Sequence, residues 1–386
     1  MNNPRRYHQD NGSLSEDMSV AVVGAGVAGG CVANALARRG VHVTLIDTAS
    51  APGSGASGNP IALLAPRLPR TSTPIGRLMA VAYLYAVRFY DDLEGRGAHV
   101  WSGARGAFAM ARNEDEGERQ RRAVATFQLP EDVMRLVDPE EATALTGVPI
   151  PKDGLWFARA GALCPPAITA ALVSGIPYAQ AHVTSFDDRA DGVHVIDHQG
   201  EAIGSFDRVV VAAGTGVMHL MADQHWPLRA NRGQLAYLPA LTPSPQVPVT
   251  YGGYISPLVD LGEGQQGHVL GATYARRDEL PDAEWATIRD TDTQEMIENL
   301  QAHLPGLAAG EAIGGRTSLR ATIRDYMPLA GRVSGNLYVL GGLGSRGFLT
   351  APVLGEMIAA QITDEPLPLD NDIVQALDPG RFKKIN

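Results

Sequence analysis

The sequence is poor in cysteine and in long apolar runs. Its 386 residues include only two cysteines, Cys31 and Cys164, too few for the disulfide framework of a small secreted protein. No apolar stretch approaches the roughly 18 residues that a membrane-spanning helix needs. The polar N-terminal segment lacks the apolar core of a signal peptide. These absences predict a cytoplasmic protein with no membrane segment.

Positive charge is also scarce, because 42 acidic residues outnumber 32 lysines and arginines and leave a formal net charge of -10. Such a chain has no global basic field that attracts nucleic acid, although a local basic patch is compatible with it. The ten histidines are scattered and no cluster has metal-ligand spacing, so no metal site is predicted. With 45% hydrophobic residues, the chain can bury a full core, and its length suits two domains or one large composite domain.

What the sequence does contain is a phosphate-binding pattern near its N-terminus. The apolar run SVAVV is followed by Gly24, Gly26 and Gly29 in the spacing G-x-G-x-x-G, then by a helical pattern and a second strand ending at Asp47. In a βαβ unit these glycines permit the turn, the approach of a pyrophosphate and the contact of helix with strand. An acid about 20 residues further on binds a ribose. The pattern therefore predicts dinucleotide binding.

The motif alone fits either FAD or a nicotinamide dinucleotide, and the remaining segments favour FAD. The small-residue loop PGSGASGNP, with Ser57 and Asn59, suits contact with a large cofactor or, equally on composition, a flexible surface loop. A meander-like stretch that includes Val183 closes in an apolar strand leading to Ala213 and Gly214. Such a strand can return to the same nucleotide site, so these three residues are predicted to contact the cofactor.

A second G-x-G-x-x-G pattern, at Gly342, Gly344 and Gly347, lies near the C-terminus. The helix after it leads into no second strand or acidic partner, so a separate nicotinamide site lacks its required context. The pattern instead predicts a glycine-rich closure over the flavin, in which Gly344, Arg346, Gly347 and Phe348 contact FAD.

Two other helical patterns have structural explanations. Thr73 and Pro74 open an amphipathic helix whose apolar positions predict core packing. The charge-dense segment 113–122, NEDEGERQRR, predicts a solvated helix face rather than a binding patch. Strand-like runs and a helix between residues 232 and 318 suit a second domain inserted into the first.

With these motifs identified, the chain resembles the D-amino-acid oxidase and glycine oxidase superfamily. A closer resemblance is to the FAD-dependent domain of the tRNA 5-methylaminomethyl-2-thiouridine biosynthesis bifunctional proteins, the MnmC family. It extends in order from about residue 19 to 381 and is carried by GSGASGNP, WFARAGALCPPAITAAL, RGQLAYL, YGGYISP, GATYARRDEL, SLRATIRDYMPLAG and GGLGSRGFLTAPVLGEMIAAQITDEPLPLD. The sequence departs from the family after GASGNP, where Ile61, Ala62 and Ala65 stand in place of Gln-Gly and a later tyrosine.

The resemblance implies an α/β fold, with an FAD-binding Rossmann-type domain of the glutathione-reductase kind and an inserted antiparallel-sheet substrate domain. The implied boundaries are a polar leader at 1–17, a discontinuous FAD-binding domain at 18–100, 151–230 and 319–386, and a substrate domain at 101–150 and 231–318.

The resemblance also implies a reaction. An FAD-dependent oxidase of this family removes the carboxymethyl group from 5-carboxymethylaminomethyl-(2-thio)uridine at the wobble position of tRNA and leaves 5-aminomethyluridine, with dioxygen as electron acceptor. The methyltransferase domain of the bifunctional proteins does not precede this segment, so a separate tRNA methyltransferase is a candidate partner. The alternatives are an oxidase of free glycine, sarcosine or a D-amino acid, and a nucleotide-binding module without catalysis.

Three side chains are candidates for the catalytic site. A glycine-like carboxylate suits an arginine anchor, because the planar guanidinium pairs with both oxygens. Arg320, in SLRATIRDYMP, matches the carboxylate-binding arginine of the superfamily, and the alternative role is a structural ion pair. Arg346 is expected near the flavin ring. Tyr254, in YGGYISP, is a candidate for a hydroxyl over the substrate, and its alternative role is packing within a strand. Candidates for tRNA contacts are Arg67, Arg70, Arg276, Arg277, Arg381, Lys383 and Lys384.

Overall fold

The computed structural model describes residues 18–276 and 285–382. The predicted polar leader at 1–17 lies outside the described residues, as do Arg277, Lys383 and Lys384. Within the described ranges, no helix is both long and apolar enough to cross a membrane.

The helices, in chain order, are α1 (Val27–Ala37), α2 (Pro74–Gly95), α3 (Glu114–Phe127), α4 (Pro139–Thr146), α5 (Pro165–Val173), α6 (Val217–Leu220), α7 (Asp290–His303), α8 (Gly347–Ile362) and α9 (Asn371–Leu377). The strands are β1 (Ser19–Val23), β2 (His42–Asp47), β3 (Ala62–Leu64), β4 (Trp101–Ser102), β5 (Ala107–Met110), β6 (Arg135–Val137), β7 (Gly154–Phe157), β8 (Gly161–Leu163), β9 (Tyr178–Gln180), β10 (Val183–Arg189), β11 (Gly192–Asp197), β12 (Ala202–Phe206), β13 (Arg208–Val211), β14 (Leu228–Leu238), β15 (Val249–Thr250), β16 (Tyr254–Ile255), β17 (Val259–Asp260), β18 (Gln266–Gly271), β19 (Ala275–Arg276), β20 (Gly314–Ile323), β21 (Leu329–Ser334) and β22 (Leu337–Gly341).

The N-terminal βαβ pattern forms the centre of a six-stranded sheet with the order β21-β22-β13-β1-β2-β9. Five of these strands run parallel, and β21 pairs antiparallel at one edge. Val20 and Val22 of β1 face a helical layer that contains α1 and α8, whereas Ala21 and Val23 face the meander β10-β11-β12. Both faces of β1 are therefore covered, which explains its continuous apolar sequence.

A second, ten-stranded sheet has the order β19-β14-β18-β16-β15-β5-β7-β6, with β17 and β20 attached. Its pairs are antiparallel except that between β15 and β5. Apolar residues of α4 and α7 pack on it in a core cluster of their own. The longest pairing, β14 with β20, brings residues 314–323 alongside 228–237.

Strand pairing departs from the predicted domain boundaries at two places. Strand β7 belongs to the ten-stranded sheet through its pairing with β5, although 151–230 was assigned to the FAD-binding domain. The predicted boundary at 319 also divides β20 in half, because the strand runs without interruption from Gly314 to Ile323. The physical reason is that sheet membership depends on hydrogen-bonded partners distant in sequence. The division into two domains otherwise stays a prediction.

Candidate functional site

The first glycine motif forms a tightly packed turn between β1 and α1. Gly24 has a φ of +109°, and a Cβ atom added there would lie 2.5 Å from the carbonyl oxygen of Ala212. A Cβ atom on Gly29 would lie 1.7 Å from the carbonyl oxygen of Gly24. The turn therefore requires glycine at both positions, one because of its left-handed backbone and both because neighbouring backbone lies so close.

Helix α1 starts at this turn, and residues 54–59 lie against its N-terminus. No side chain caps the helix at Gly26, but the next residue, Val27, donates its backbone N–H to Ser57 Oγ at 2.9 Å. A Cβ atom on Gly26 would lie 3.1 Å from the same oxygen. The small side chain of Ser57 thus allows the loop to approach the positive end of the helix, where phosphates bind.

Asp47 lies at the end of β2 beside the same turn. Its Oδ2 atom accepts a hydrogen bond from Ala25 N at 2.7 Å, and its Oδ1 atom accepts one from Ala49 N at 2.9 Å. Oδ1 also accepts a hydrogen bond from Thr48 Oγ1 at 3.4 Å, whereas Oδ2 keeps a further lone pair that can accept a ribose hydroxyl. Asp47 is therefore held in place by backbone and remains available to a ligand.

One cavity of about 1390 Å³ contains the turn. This volume exceeds the roughly 300–1,000 Å³ of a pocket for a single small ligand, so the cavity has room for a dinucleotide and a substrate group. The predicted cofactor residues that line it are Gly24, Gly26, Asp47, Ser57, Asn59, Val183, Ala213, Gly214, Gly344, Arg346, Gly347 and Phe348. Gly29 does not line the cavity and instead packs beneath the turn.

The C-terminal glycine pattern lines the same cavity, although it lies near the other end of the sequence. Gly342 and Gly344 have φ angles of +69° and +58°, and helix α8 begins at Gly347. The Tyr90 hydroxyl donates to the carbonyl oxygen of Phe348 at 2.7 Å, which ties the start of α8 to α2. Both glycine motifs therefore border one cavity, and closure of the C-terminal segment over a flavin stays a prediction.

Arg320 and Tyr254 lie together at the part of the cavity formed by the ten-stranded sheet. Arg320 donates to Ser345 Oγ at 3.2 Å and forms no ion pair with any described residue. Burial lowers the pKa of the Arg320 guanidinium. Burial also raises the pKa of Tyr254 to about 12, an increase that the nearby charge of Arg320 partly opposes. The site thus presents a guanidinium without a carboxylate and a neutral hydroxyl.

Arg346 is the second arginine that lines the cavity without a carboxylate. Its side chain makes no hydrogen bond or ion pair within the described part of the chain, although its backbone N–H donates to Leu343 O at 3.2 Å. Burial lowers the pKa of Arg346, and the positive charge of Arg67 lowers it further. An anionic ligand would offset both effects on the pKa of Arg346, because an opposite charge favours the protonated guanidinium.

Sequence reasoning missed a third cavity arginine, Arg316. It donates to Asn59 Oδ1 at 2.5 Å and to the carbonyl oxygen of Gly55 at 2.8 Å. These bonds connect the small-residue loop with β20 of the ten-stranded sheet. The available signal was the spacing of Arg316, Ser318 and Arg320, because residues two apart in a strand lie on one face.

These features fit FAD. The N-terminus of α1 is suited to a pyrophosphate, Asp47 to a ribose, and the glycine-rich return to a flat ring system lying against backbone. Among the described residues, no group of three His, Cys, Asp or Glu side chains is arranged to hold a metal ion.

Known proteins share this architecture. Among solved structures, glycine oxidase from Geobacillus kaustophilus superimposes with a TM-score of 0.75 at 19% identity, covering 94% of this chain and 98% of that one. Iminodiacetate oxidase from Chelativorans sp. BNC1 superimposes with a TM-score of 0.72 at 21% identity, covering 91% and 97%. At these identities the likeness concerns the fold, and it confirms the predicted fold class.

Curated relatives carry the name tRNA 5-methylaminomethyl-2-thiouridine biosynthesis bifunctional protein MnmC. The protein from Magnetococcus marinus is 35% identical over 94% of this chain and 59% of its own length. The protein from Aromatoleum aromaticum is 33% identical over 98% of this chain and 63% of its own length. The chain therefore spans about three fifths of the relatives it matches, and the predicted resemblance is confirmed over that part.

The family model for FAD dependent oxidoreductases, DAO, matches residues 19–361. This range includes β1 and most of α8, and hence both glycine motifs of the cavity. The match confirms the predicted enzyme class and its dependence on FAD. This chain belongs to the DAO family of FAD-dependent oxidoreductases.

Proposed function

We propose that this chain oxidises the amine of 5-carboxymethylaminomethyl-(2-thio)uridine at the wobble position of tRNA, removes the carboxymethyl group and leaves 5-aminomethyluridine in the tRNA. The observation that carries the proposal is Arg320, a desolvated arginine that lines the cavity without a carboxylate partner among the described residues. A substrate that ends in a carboxylate would supply that partner. The names of the relatives support the choice of a modified tRNA uridine.

The reaction balances as an oxidation followed by a hydrolysis. The carbon–nitrogen single bond of the N–CH2–COO⁻ group loses two electrons and two protons and becomes a carbon–nitrogen double bond. Water then adds to that carbon, the bond to nitrogen breaks, and glyoxylate leaves the aminomethyl group behind. FAD, when bound, supplies the two-electron acceptor. Dioxygen, reduced to hydrogen peroxide, is the proposed final oxidant.

In this proposal each cavity side chain has a separate task. Arg320 binds the carboxylate through its planar fork and orients the neighbouring C–H bond. Tyr254, which stays protonated because burial raises its pKa to about 12, donates a hydrogen bond to the same end of the substrate. Arg346, on the glycine-rich return, is adjacent to the cofactor and attracts anionic groups of cofactor or substrate. The six-stranded sheet would hold FAD and the ten-stranded sheet the substrate.

The proposed partners follow from this chemistry. They are tRNA, dioxygen and a separate methyltransferase that would modify the exposed aminomethyl group. Action on tRNA would place the chain in the cytoplasm.

The deciding assay offers the purified FAD-loaded enzyme a tRNA bearing carboxymethylaminomethyluridine, under air. We expect glyoxylate and aminomethyluridine to appear in equal amounts, measured by mass spectrometry of digested nucleosides. Glycine and sarcosine are tested in parallel, because the net charge of -10 favours a free small amine as the second candidate substrate. Turnover of these amines at ordinary enzyme rates, with the modified tRNA left unchanged, would establish the second candidate.

The anchoring role is tested with Arg320→Leu. Losing a charge-assisted bidentate contact should cost about 2 to 3 kcal/mol, or about 30- to 150-fold in kcat/KM, mainly through KM. The matched control is Arg324→Leu, because Arg324 is an exposed arginine of the same segment that does not line the cavity. Equal kinetics for the two variants, with FAD bound in both, would contradict the assignment of Arg320.

A further inference from the structure

Three arginines converge on one glutamate beside the cavity. Glu116 Oε2 lies 2.7 Å from Arg112 Nε, and Glu116 Oε1 lies 3.4 Å from Arg119 Nη2 and 3.7 Å from Arg67 Nη2. One carboxylate cannot neutralise three guanidinium groups. This arginine cluster, consisting of Arg67, Arg112 and Arg119, therefore keeps two excess positive charges in a chain whose net charge is -10.

The arginine cluster lies beside the cavity. A Cβ atom on Gly252, which lines the cavity, would lie 2.8 Å from Arg112 Cδ, so Arg112 packs directly against the wall. On the other side, the charge of Arg67 lowers the pKa of Arg346, another lining residue. The cluster thus lies next to the cavity that is proposed to receive the modified base.

Two members of the cluster are accessible and the third holds them in place. The Arg67 side chain is 59% exposed and makes no hydrogen bond within the described residues, and that of Arg112 is 41% exposed. Arg119 is only 15% exposed and donates to the carbonyl oxygen of Leu68 at 2.6 Å. Arg119 therefore ties the backbone next to Arg67 to helix α3.

Other arginines of this surface and of the C-terminus are better neutralised. Arg70 pairs with Asp115, and Arg122 pairs with Glu118 at 2.6 Å. Arg381, predicted as a tRNA contact, pairs instead with Asp325 at 3.0 Å. The excess charge is thus concentrated at Arg67 and Arg112, whereas the rest of the 113–122 segment has the paired character expected of a solvated helix.

We propose that Arg67 and Arg112 bind backbone phosphates of the RNA strand whose modified base enters the cavity. The inference rests on the proposed function. A free amino acid would fit inside the cavity and would need no positive charge outside it. A polynucleotide would leave its phosphates at the rim, where guanidinium groups pair well with them. The cluster supplies locally the positive charge that the whole chain lacks.

The test measures the affinity of the FAD-loaded enzyme for tRNA bearing carboxymethylaminomethyluridine as a function of salt concentration. We expect Arg67→Gln and Arg112→Gln each to weaken binding about 3- to 10-fold and to lower the log–log salt slope by about one. The matched control is Arg122→Gln, which removes the same charge from α3 at a side chain that is 62% exposed and paired with Glu118. It should change neither quantity.

A small substrate separates this inference from the proposed function. Turnover of the free modified nucleoside should be the same in Arg122→Gln and the parent enzyme. In Arg67→Gln it should fall much less than turnover of the tRNA, because only the tRNA loses a phosphate contact. If the tRNA is oxidised but Arg67→Gln and Arg112→Gln bind it with the affinity and salt slope of the control, the cluster proposal is overturned and the proposed function stands. Binding of poly-glutamate but not of tRNA would also overturn it. Should Arg112→Gln lose FAD, the more exposed Arg67 alone decides the question.

Discussion

Replacing Gly29 by alanine tests whether the nucleotide turn depends on backbone contact between β1 and α1. The added Cβ atom would lie 1.7 Å from Gly24 O, 2.9 Å from Gly24 C and 3.3 Å from Val22 Cγ1. Because two of these atoms belong to the backbone, no rotamer change relieves the overlap. The helix must move away from the strand, and the phosphate-binding turn moves with it.

The expected size of the effect follows from two opposing contributions. Overpacking of this severity costs about 3 kcal/mol, the upper part of the usual range. Alanine in a helix interior returns about 1 kcal/mol relative to glycine. We therefore expect Gly29→Ala to lose about 2 kcal/mol of unfolding free energy and most of its FAD.

The neighbouring Gly30 provides the matched control. A Cβ atom there would meet only the side chain of Leu172, at 3.2 Å, and a side chain can adjust by a few tenths of an ångström. Gly30→Ala should keep its FAD and change the unfolding free energy by less than about 1 kcal/mol. The assays are flavin absorbance per protein after purification and urea unfolding followed by tryptophan fluorescence. A Gly29→Ala protein that retains FAD and unfolds like Gly30→Ala would refute the reasoning.

Three further changes give distinct results. In Gly233→Ala the added Cβ atom would lie 2.3 Å from Arg320 Nη2 and would displace that guanidinium. KM for the carboxylated substrate should therefore rise, whereas Tm should not fall, because the displaced group is the movable end of a side chain. An unchanged KM would contradict this. Burial lowers the pKa of His268 below its ordinary value of 6.5, so the folded state disfavours the protonated imidazole. The free energy of unfolding should therefore fall as pH drops below about 6.5, and it should fall less in His268→Gln. Arg232 Nη1 lies 2.6 Å from Asp292 Oδ2, and the arginine side chain is buried. Arg232→Met should cost about 3 to 5 kcal/mol of unfolding free energy, because it leaves Asp292 without this partner. Urea unfolding that matches the parent would argue against this.

The nucleotide turn could be predicted from sequence because its determinants are local. Gly24, Gly26, Gly29 and Asp47 lie within one βαβ unit, where spacing and apolar periodicity specify the strand, the turn and the helix. Arg320 was predicted differently, through the resemblance of SLRATIRDYMP to a known family, and its role stays a proposal. Arg316 was missed, because its importance comes from a bond to Asn59, 257 positions away.

The nucleotide-binding unit, the second glycine-rich segment and the family of oxidoreductases could all be predicted from sequence. The first two depend on short patterns whose backbone conformation follows from glycine spacing and side-chain periodicity. The folded structure was needed to show that both glycine segments border one cavity, that β7 belongs to the ten-stranded sheet, and that Arg67 and Arg112 share Glu116. Such juxtapositions arise from strand pairing and burial between segments far apart in the chain, which no local pattern records.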